Sequence, residues 1–157
     1  MLVYPTGKTA EDYEPNEIPD YLNDPYYRTD HTTAEVGAFL TRVNKCIRAG
    51  EFIVLDDEEG SRKKNADFLS VYGLYTKEEQ KRLLLSIDIG DFCHSPKAAD
   101  GSELYVFCPR WQLYKATAGS CNVAVYVKHD CPQAKHPRDV VVSMHELEAP
   151  IKLIFAD

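Results

Sequence analysis

Between Asn122 and Leu147 the chain reads as two strands, Asn-Val-Ala-Val-Tyr-Val-Lys and Val-Val-Val-Ser-Met-His-Glu, joined by a polar loop holding Pro132 and Pro137. No other stretch restricts the possible folds as strongly. Strand side chains alternate faces, so Val123, Val125 and Val127 share one side while Tyr126 and Lys128 share the other. In the second run Val140, Val142 and Met144 form the most uniformly apolar set, which leaves Ser143 and His145 opposite. Such a pair needs a core against its valines. If both strands belong to one sheet, a phenol, an ammonium and an imidazole meet on its other face.

The material for that core precedes the strands. Thr32 followed by Glu35 is a capping-box signature, Val36, Phe39, Leu40, Val43 and Ile47 keep helical spacing, and Gly50 closes the segment. A second helix is expected to carry Phe68, Leu69 and Tyr72 up to Gly73. A third opens at Thr76 and Glu79 and runs through Leu83, Leu84 and Ile87. Phe52–Leu55 reads as an early strand. Leu104–Cys108, Trp111–Lys115, Asn122–Lys128, Val140–His145 and Ile151–Phe155 read as later ones, divided by turn signals at Asp100-Gly101, Ala118-Gly119 and Ala149-Pro150. Helices first and strands afterwards predict an α+β fold, with N-terminal helices packed on an antiparallel sheet. Residues 1–31 are different. Pro5, Pro15, Pro19 and Pro25 exclude a long helix, so an acidic, Tyr- and Pro-rich arm is expected ahead of a domain over 32–157. Its tyrosines could pin it over apolar surface, or it could act as an acidic flap over a basic site.

Composition narrows the function. No run approaches the ~18 apolar residues of a membrane span, and Met1-Leu2-Val3-Tyr4 passes at once to Pro5 and polar residues, so a cytoplasmic protein without membrane contact is expected. Five cysteines without a Cys-x-x-Cys pair point to free thiols rather than a disulfide framework. The net charge of −7 argues against a nucleic-acid partner until it is located. Residues 1–30 hold seven acids against Lys8 and Arg28, a net −5, so the rest of the chain carries only −2. A local basic cleft is compatible with that. Arg62, Lys63 and Lys64, together with Arg110 and Lys115, are candidate RNA-phosphate contacts, while Trp111 reads either as a base-stacking platform or as core.

Three fragments occur in a telling order: Asp91-Phe92-Cys93-His94, Val125-Tyr126-Val127-Lys128 and Val142-Ser143-Met144-His145-Glu146. Preceded by the Arg62–Leu74 segment, this order resembles the motility quorum-sensing regulator (MqsR) family of type II toxins, messenger-RNA interferases related in fold to the RelE ribonucleases. The likeness spans roughly residues 36 to 155. It implies a RelE/MqsR-like fold, endonucleolytic cleavage of messenger RNA and control by a cognate antitoxin protein. Carried over position by position, the family's active-site basic residue falls on His94, its tyrosine on Tyr126 and its C-terminal basic residue on His145. Lys128 matches the lysine of the strand motif. Val106 stands where the type member has a glutamine, and Met144 where the family usually has Phe.

The chemistry of these groups can be stated without the family. Cleavage of RNA by its own 2′-hydroxyl needs a base at that hydroxyl, an acid at the departing 5′-oxygen and positive charge at the phosphorane. Imidazole suits both proton steps near neutral pH. His145 is the first candidate for proton transfer and His94 the second, with Lys128 facing the phosphorane and Tyr126 hydrogen-bonded to the phosphate. The scheme calls for no metal or cofactor. The rival reading is a non-catalytic protein-binding module on a toxin-like scaffold, favoured by the overall acidity and the acidic arm. Zinc ligation by His129, Cys131 and His136, with Cys121, fits no common structural-site spacing. Gly60-Ser61-Arg62-Lys63-Lys64 lacks the first glycine of a phosphate loop.

Overall fold

The computed structural model describes residues 1–56, 60, 62–98 and 102–156. Ser61 and the turn signal at Asp100-Gly101 lie outside them. Among the described residues three α-helices and nine strands form a mixed α+β fold: β1 (Leu2–Val3), β2 (Tyr27–Arg28), α1 (Thr33–Arg48), β3 (Phe52–Val54), α2 (Arg62–Val71), α3 (Lys77–Leu84), β4 (Phe92–Pro96), β5 (Tyr105–Phe107), β6 (Arg110–Lys115), β7 (Gly119–Asp130), β8 (Asp139–Glu146) and β9 (Ile151–Lys152). None of these helices is long and apolar enough to cross a membrane.

Helix α1 forms where its caps and its apolar stripe agree. The Thr32 hydroxyl accepts from the Glu35 amide, and the Glu35 carboxylate accepts from the Thr32 amide, which satisfies two donors that the first turn leaves open. Gly50, at φ +75°, ends the helix in the left-handed conformation that only glycine adopts without cost. Val36, Phe39, Leu40, Val43 and Ile47 are buried, as their spacing predicts. Phe39 stacks flat on Tyr105 with ring centroids 3.8 Å apart. Truncating it to Ala would cost about 3–5 kcal/mol.

The main sheet runs β2-β4-β5-β7-β8-β3, with β6 paired to the first half of β7. Its helical face buries Phe92, Phe107, Val123, Val125, Val127, Val141 and Met144 against α1, α2 and α3. Two findings correct the sequence reading. Strand β3 joins β8 in parallel, not antiparallel, register: four strands and two helices lie between them in the chain, so no hairpin dictates direction. In β8, Val141 and Met144 are fully buried, whereas Val140 and Val142 are only half-buried. The cause is a bulge. Lys128 opposes Ser143 while the next residue, His129, opposes Val141, so Val142 is an extra residue that shifts the alternation.

The other face is covered by the arm. Strand β1 pairs with β9 and β2 with β4, both antiparallel. Between them residues 4–26 form an arch with two short 3-10 turns, Ala10–Asp12 and Pro15–Glu17. Under it lies a second apolar cluster of Val3, Cys93, Val106, Cys108, Ala124, Leu147, Ile151 and Leu153. The sheet is thus the middle of three layers. Sequence reasoning extended the last strand to Phe155; it ends at Lys152, after which Phe155 turns back to stack on Phe92 at 5.9 Å.

Candidate functional site

Strands β7 and β8 bring the expected groups to one face. Tyr126 lies opposite His145 and Lys128 opposite Ser143, and all four line a cavity of about 310 Å³. The Tyr126 and His145 rings stack, with centroids 5.3 Å apart and planes 15° from parallel. Lys128 Nζ lies 6.0 Å from the Tyr126 ring centroid. Lys64, Leu147, Glu148, Ala149, Ile151 and Tyr21 complete the wall. A regular β8 would have sent Ser143 and His145 to the helical face together with Val141, because residues two apart share a side. The Val142 bulge is what aims them at Lys128 and Tyr126.

Asn65 holds that bulge in place. It is fully buried, its Nδ2 donates to Leu55 O at 2.6 Å and to Val142 O at 3.0 Å, and its Oδ1 accepts from the Met144 amide at 2.8 Å. The last backbone bond on this side of β8 runs from the Leu55 amide to Val141 O at 3.1 Å. Beyond it, the Asn65 amide group takes the place of the next peptide of β3. The same anchor sets the neighbouring Lys64 over the cavity, where its Nζ bonds Glu148 Oε1 at 2.8 Å.

His145 is poised as a base. Its Nδ1 lies 2.9 Å from Glu146 O, and a carbonyl only accepts, so Nδ1 carries the proton and Nε2 of the neutral ring has a free lone pair. Its pKa is lowered from the usual imidazole value, mainly by burial and further by the Lys64 and Lys128 cations, against the opposing pull of the Glu146 carbonyl and Glu148. Burial raises the Tyr126 phenol, which therefore stays a proton donor, and lowers the Lys128 ammonium. Glu146 is turned away, accepting from the Tyr72 hydroxyl at 3.0 Å.

The other sequence candidates are placed differently. His94 shares the sheet face, in register with Val106, which in turn opposes Lys128. A bulge between Phe92 and His94 puts it there. Yet it is 1% exposed and covered by Tyr21 and Tyr27 at ring-centroid distances of 4.2 and 4.7 Å. Burial, with Lys128 adding to it, pulls its pKa down to about 4. The expected second proton-transfer group is therefore a buried neutral imidazole outside the Tyr126–Lys128–His145 cavity, and that assignment is withdrawn. Arg62 and Lys63 do not line this cavity; Lys63 pairs with Asp67 one turn on, at 3.2 Å. Arg110 and Lys115 sit on β6, beyond the site along β7, and line no part of the cavity. Trp111 is core, donating from Nε1 to Ser86 Oγ at 3.1 Å. His129 is bonded to Asp139 at 2.8 Å, and Cys131 Sγ lies 3.9 Å from Cys46 Sγ.

Three members of the site escaped the sequence reading. Ser143 was already assigned to the His145 face by alternation, but a serine in a strand signals nothing chemical by itself. Asn65 gives no local signal, because its bonds to Val142 and Met144 reach about 80 residues along the chain, and Tyr21, expected only among the tyrosines that pin the arm, meets this cavity across about 100 residues. In comparisons with known proteins the chain matches no family model, no curated protein and no solved structure.

Proposed function

We propose that the protein is a metal-independent endoribonuclease acting on messenger RNA in the cytoplasm, a toxin of RelE/MqsR-like kind restrained by an antitoxin protein. The observation that carries the reading is the single cavity lined by Tyr126, Lys128 and His145. His145 Nε2 takes the proton of a ribose 2′-hydroxyl, and the 2′-oxygen attacks the adjacent phosphorus. The P–O5′ bond breaks, leaving a 2′,3′-cyclic phosphate and a 5′-hydroxyl. Lys128 faces the charge that grows on the phosphorane and Tyr126 donates a hydrogen bond to a non-bridging oxygen. The Lys64 ammonium, exchanging Glu148 for the phosphate, protonates the departing 5′-oxygen. The resemblance of the Asp91–His94, Val125–Lys128 and Val142–Glu146 motifs to the toxin family supports the same reading.

The test is single-turnover cleavage of a labelled RNA oligonucleotide in chelator, with product ends identified by mass. His145→Ala is expected to lower the rate ~10²–10⁴-fold, and Lys128→Met ~10²–10³-fold. The acid limb of the pH–rate profile should have its midpoint below the ordinary imidazole value of about 6.5, because burial disfavours the charged ring. Full activity in both variants would refute the mechanism. A second reading, a non-catalytic protein-binding module, is favoured by the Lys64–Glu148 pair, which engages the Lys64 ammonium in the cavity wall, and by Tyr21 of the acidic arm in the same wall. It requires that the wild-type chain cleave no RNA.

A further inference from the structure

Between the arch and the sheet lies a second cavity, of about 560 Å³, which takes no part in the proposed cleavage. Ile18, Pro19 and Leu22 of the arm form one side of it, Leu2 and Ile154 another, and Cys93 and His94 come from the sheet. It persists because the arch is tied at both ends, by β1 on β9 and by β2 on β4. Pro15 and Pro19, each with a fixed φ, stiffen the span between. The size and the mostly apolar lining with a few polar groups are those of small-molecule sites.

A second, independent feature points to an occupant. His94 is 1% exposed, and its Nε2 is buried with no hydrogen-bond partner. Buried polar atoms are nearly always paired, and an orphan marks a place where another molecule can supply the missing bond. His94 is buried, so a charged head group would lose its hydration there, and the cation that acts on the ring, Lys128, lines the neighbouring cavity and not this one. The two charged side chains of the lining, Lys152 and Asp20, are exposed and of opposite sign, and the Met1 ammonium is taken up by Leu153 O and Ala156 O, so the lining selects neither anion nor cation. A hydroxyl meets the requirement because it can donate or accept, whichever tautomer His94 adopts.

We propose that this cavity binds a small uncharged amphipathic molecule, an apolar body carrying one hydroxyl, with the hydroxyl bonded to His94 Nε2 once the Tyr21 ring that covers it moves aside. Tyr21 borders both this cavity and the one holding Tyr126, Lys128 and His145. An occupant would therefore touch the shared wall of the candidate catalytic site.

The test uses the full chain, labelled with ¹⁵N and titrated with 4-ethylphenol and, as the hydroxyl-free control, ethylbenzene. Binding is read from amide and imidazole shifts with no RNA present, so the outcome is independent of the cleavage reading. Amide shifts are expected to centre on Ile18, Leu22, Cys93 and Ile154 for both compounds, with the His94 nitrogen moving only for the phenol. His94→Phe should weaken 4-ethylphenol about tenfold and ethylbenzene less than about twofold, the difference being one hydrogen bond to a buried partner. Ile18→Trp, which fills the space from the arm, should weaken both. The proposal is overturned if shifts centre elsewhere, if neither compound binds the wild type up to its solubility, or if His94→Phe weakens both compounds alike. Should His94→Phe fail to fold, the wild-type contrast in the His94 nitrogen shift decides.

Discussion

Replacing Asn65 by Ala tests the link between α2 and the face that carries Tyr126, Lys128 and His145. The side chain makes three hydrogen bonds, to Leu55 O, Val142 O and from the Met144 amide, in a site with no solvent exposure. A net ~1 kcal/mol for each bond, plus the cost of leaving the Met144 N–H buried and unpaired, gives a loss of about 4 kcal/mol. That is a large share of the ~5–15 kcal/mol by which a domain is stable. With a urea m-value of about 2 kcal/mol/M, the midpoint should fall by roughly 2 M at unchanged m, read from the fluorescence of Trp111, the single tryptophan of the chain. Asn65→Asp keeps the acceptor for Met144 but faces a carboxylate to two carbonyls, so it should lose at least as much. A loss below about 1 kcal/mol in both variants would refute the idea that Asn65 substitutes for a peptide of β3. In a variant that still folds, His145 would lose its register with Tyr126, and the proposed cleavage should fall with stability.

Two further expectations come from titratable groups. His94 is held at about 4 when folded, against about 6.5 unfolded. Its folded pKa is depressed, so the unfolded chain binds the extra proton between these values; stability is complete above pH 6.5 and drops by about 3 kcal/mol as pH falls to 4. The difference in unfolding free energy between wild type and His94→Phe should change by that amount between pH 7 and pH 4, and a constant difference would contradict it. Among the five free cysteines Cys121 is the half-buried one; burial pushes the Cys108 and Cys131 thiols up to about 12, and Cys93 is raised as well. Iodoacetamide should alkylate Cys121 first, as mapped by mass spectrometry, and equal rates at all five would count against the buried placements.

By itself the sequence determined the elements whose signals are local. The Thr32–Glu35 cap and the Val36–Ile47 stripe specify α1, and Thr76 with Glu79 opens α3, where the Glu79 amide donates to the Thr76 hydroxyl at 3.2 Å. Alternation in Asn122–Lys128 put Tyr126 and Lys128 on one face, because period-two burial is written in consecutive residues. Tertiary structure decided the rest. The direction of β3, the bulge at Val142 and the turning of Ser143 and His145 toward Lys128 depend on pairing and on Asn65, a residue about 80 positions away from the β8 bulge it holds. His94 shows the same division. Its chemistry was legible, but Tyr21 and Tyr27, of an arm whose tyrosines were expected only to pin it over apolar surface, close it off from the Tyr126–Lys128–His145 cavity. Local pattern fixes which face a side chain favours; whether that face meets solvent, substrate or another part of the chain is settled by long-range packing.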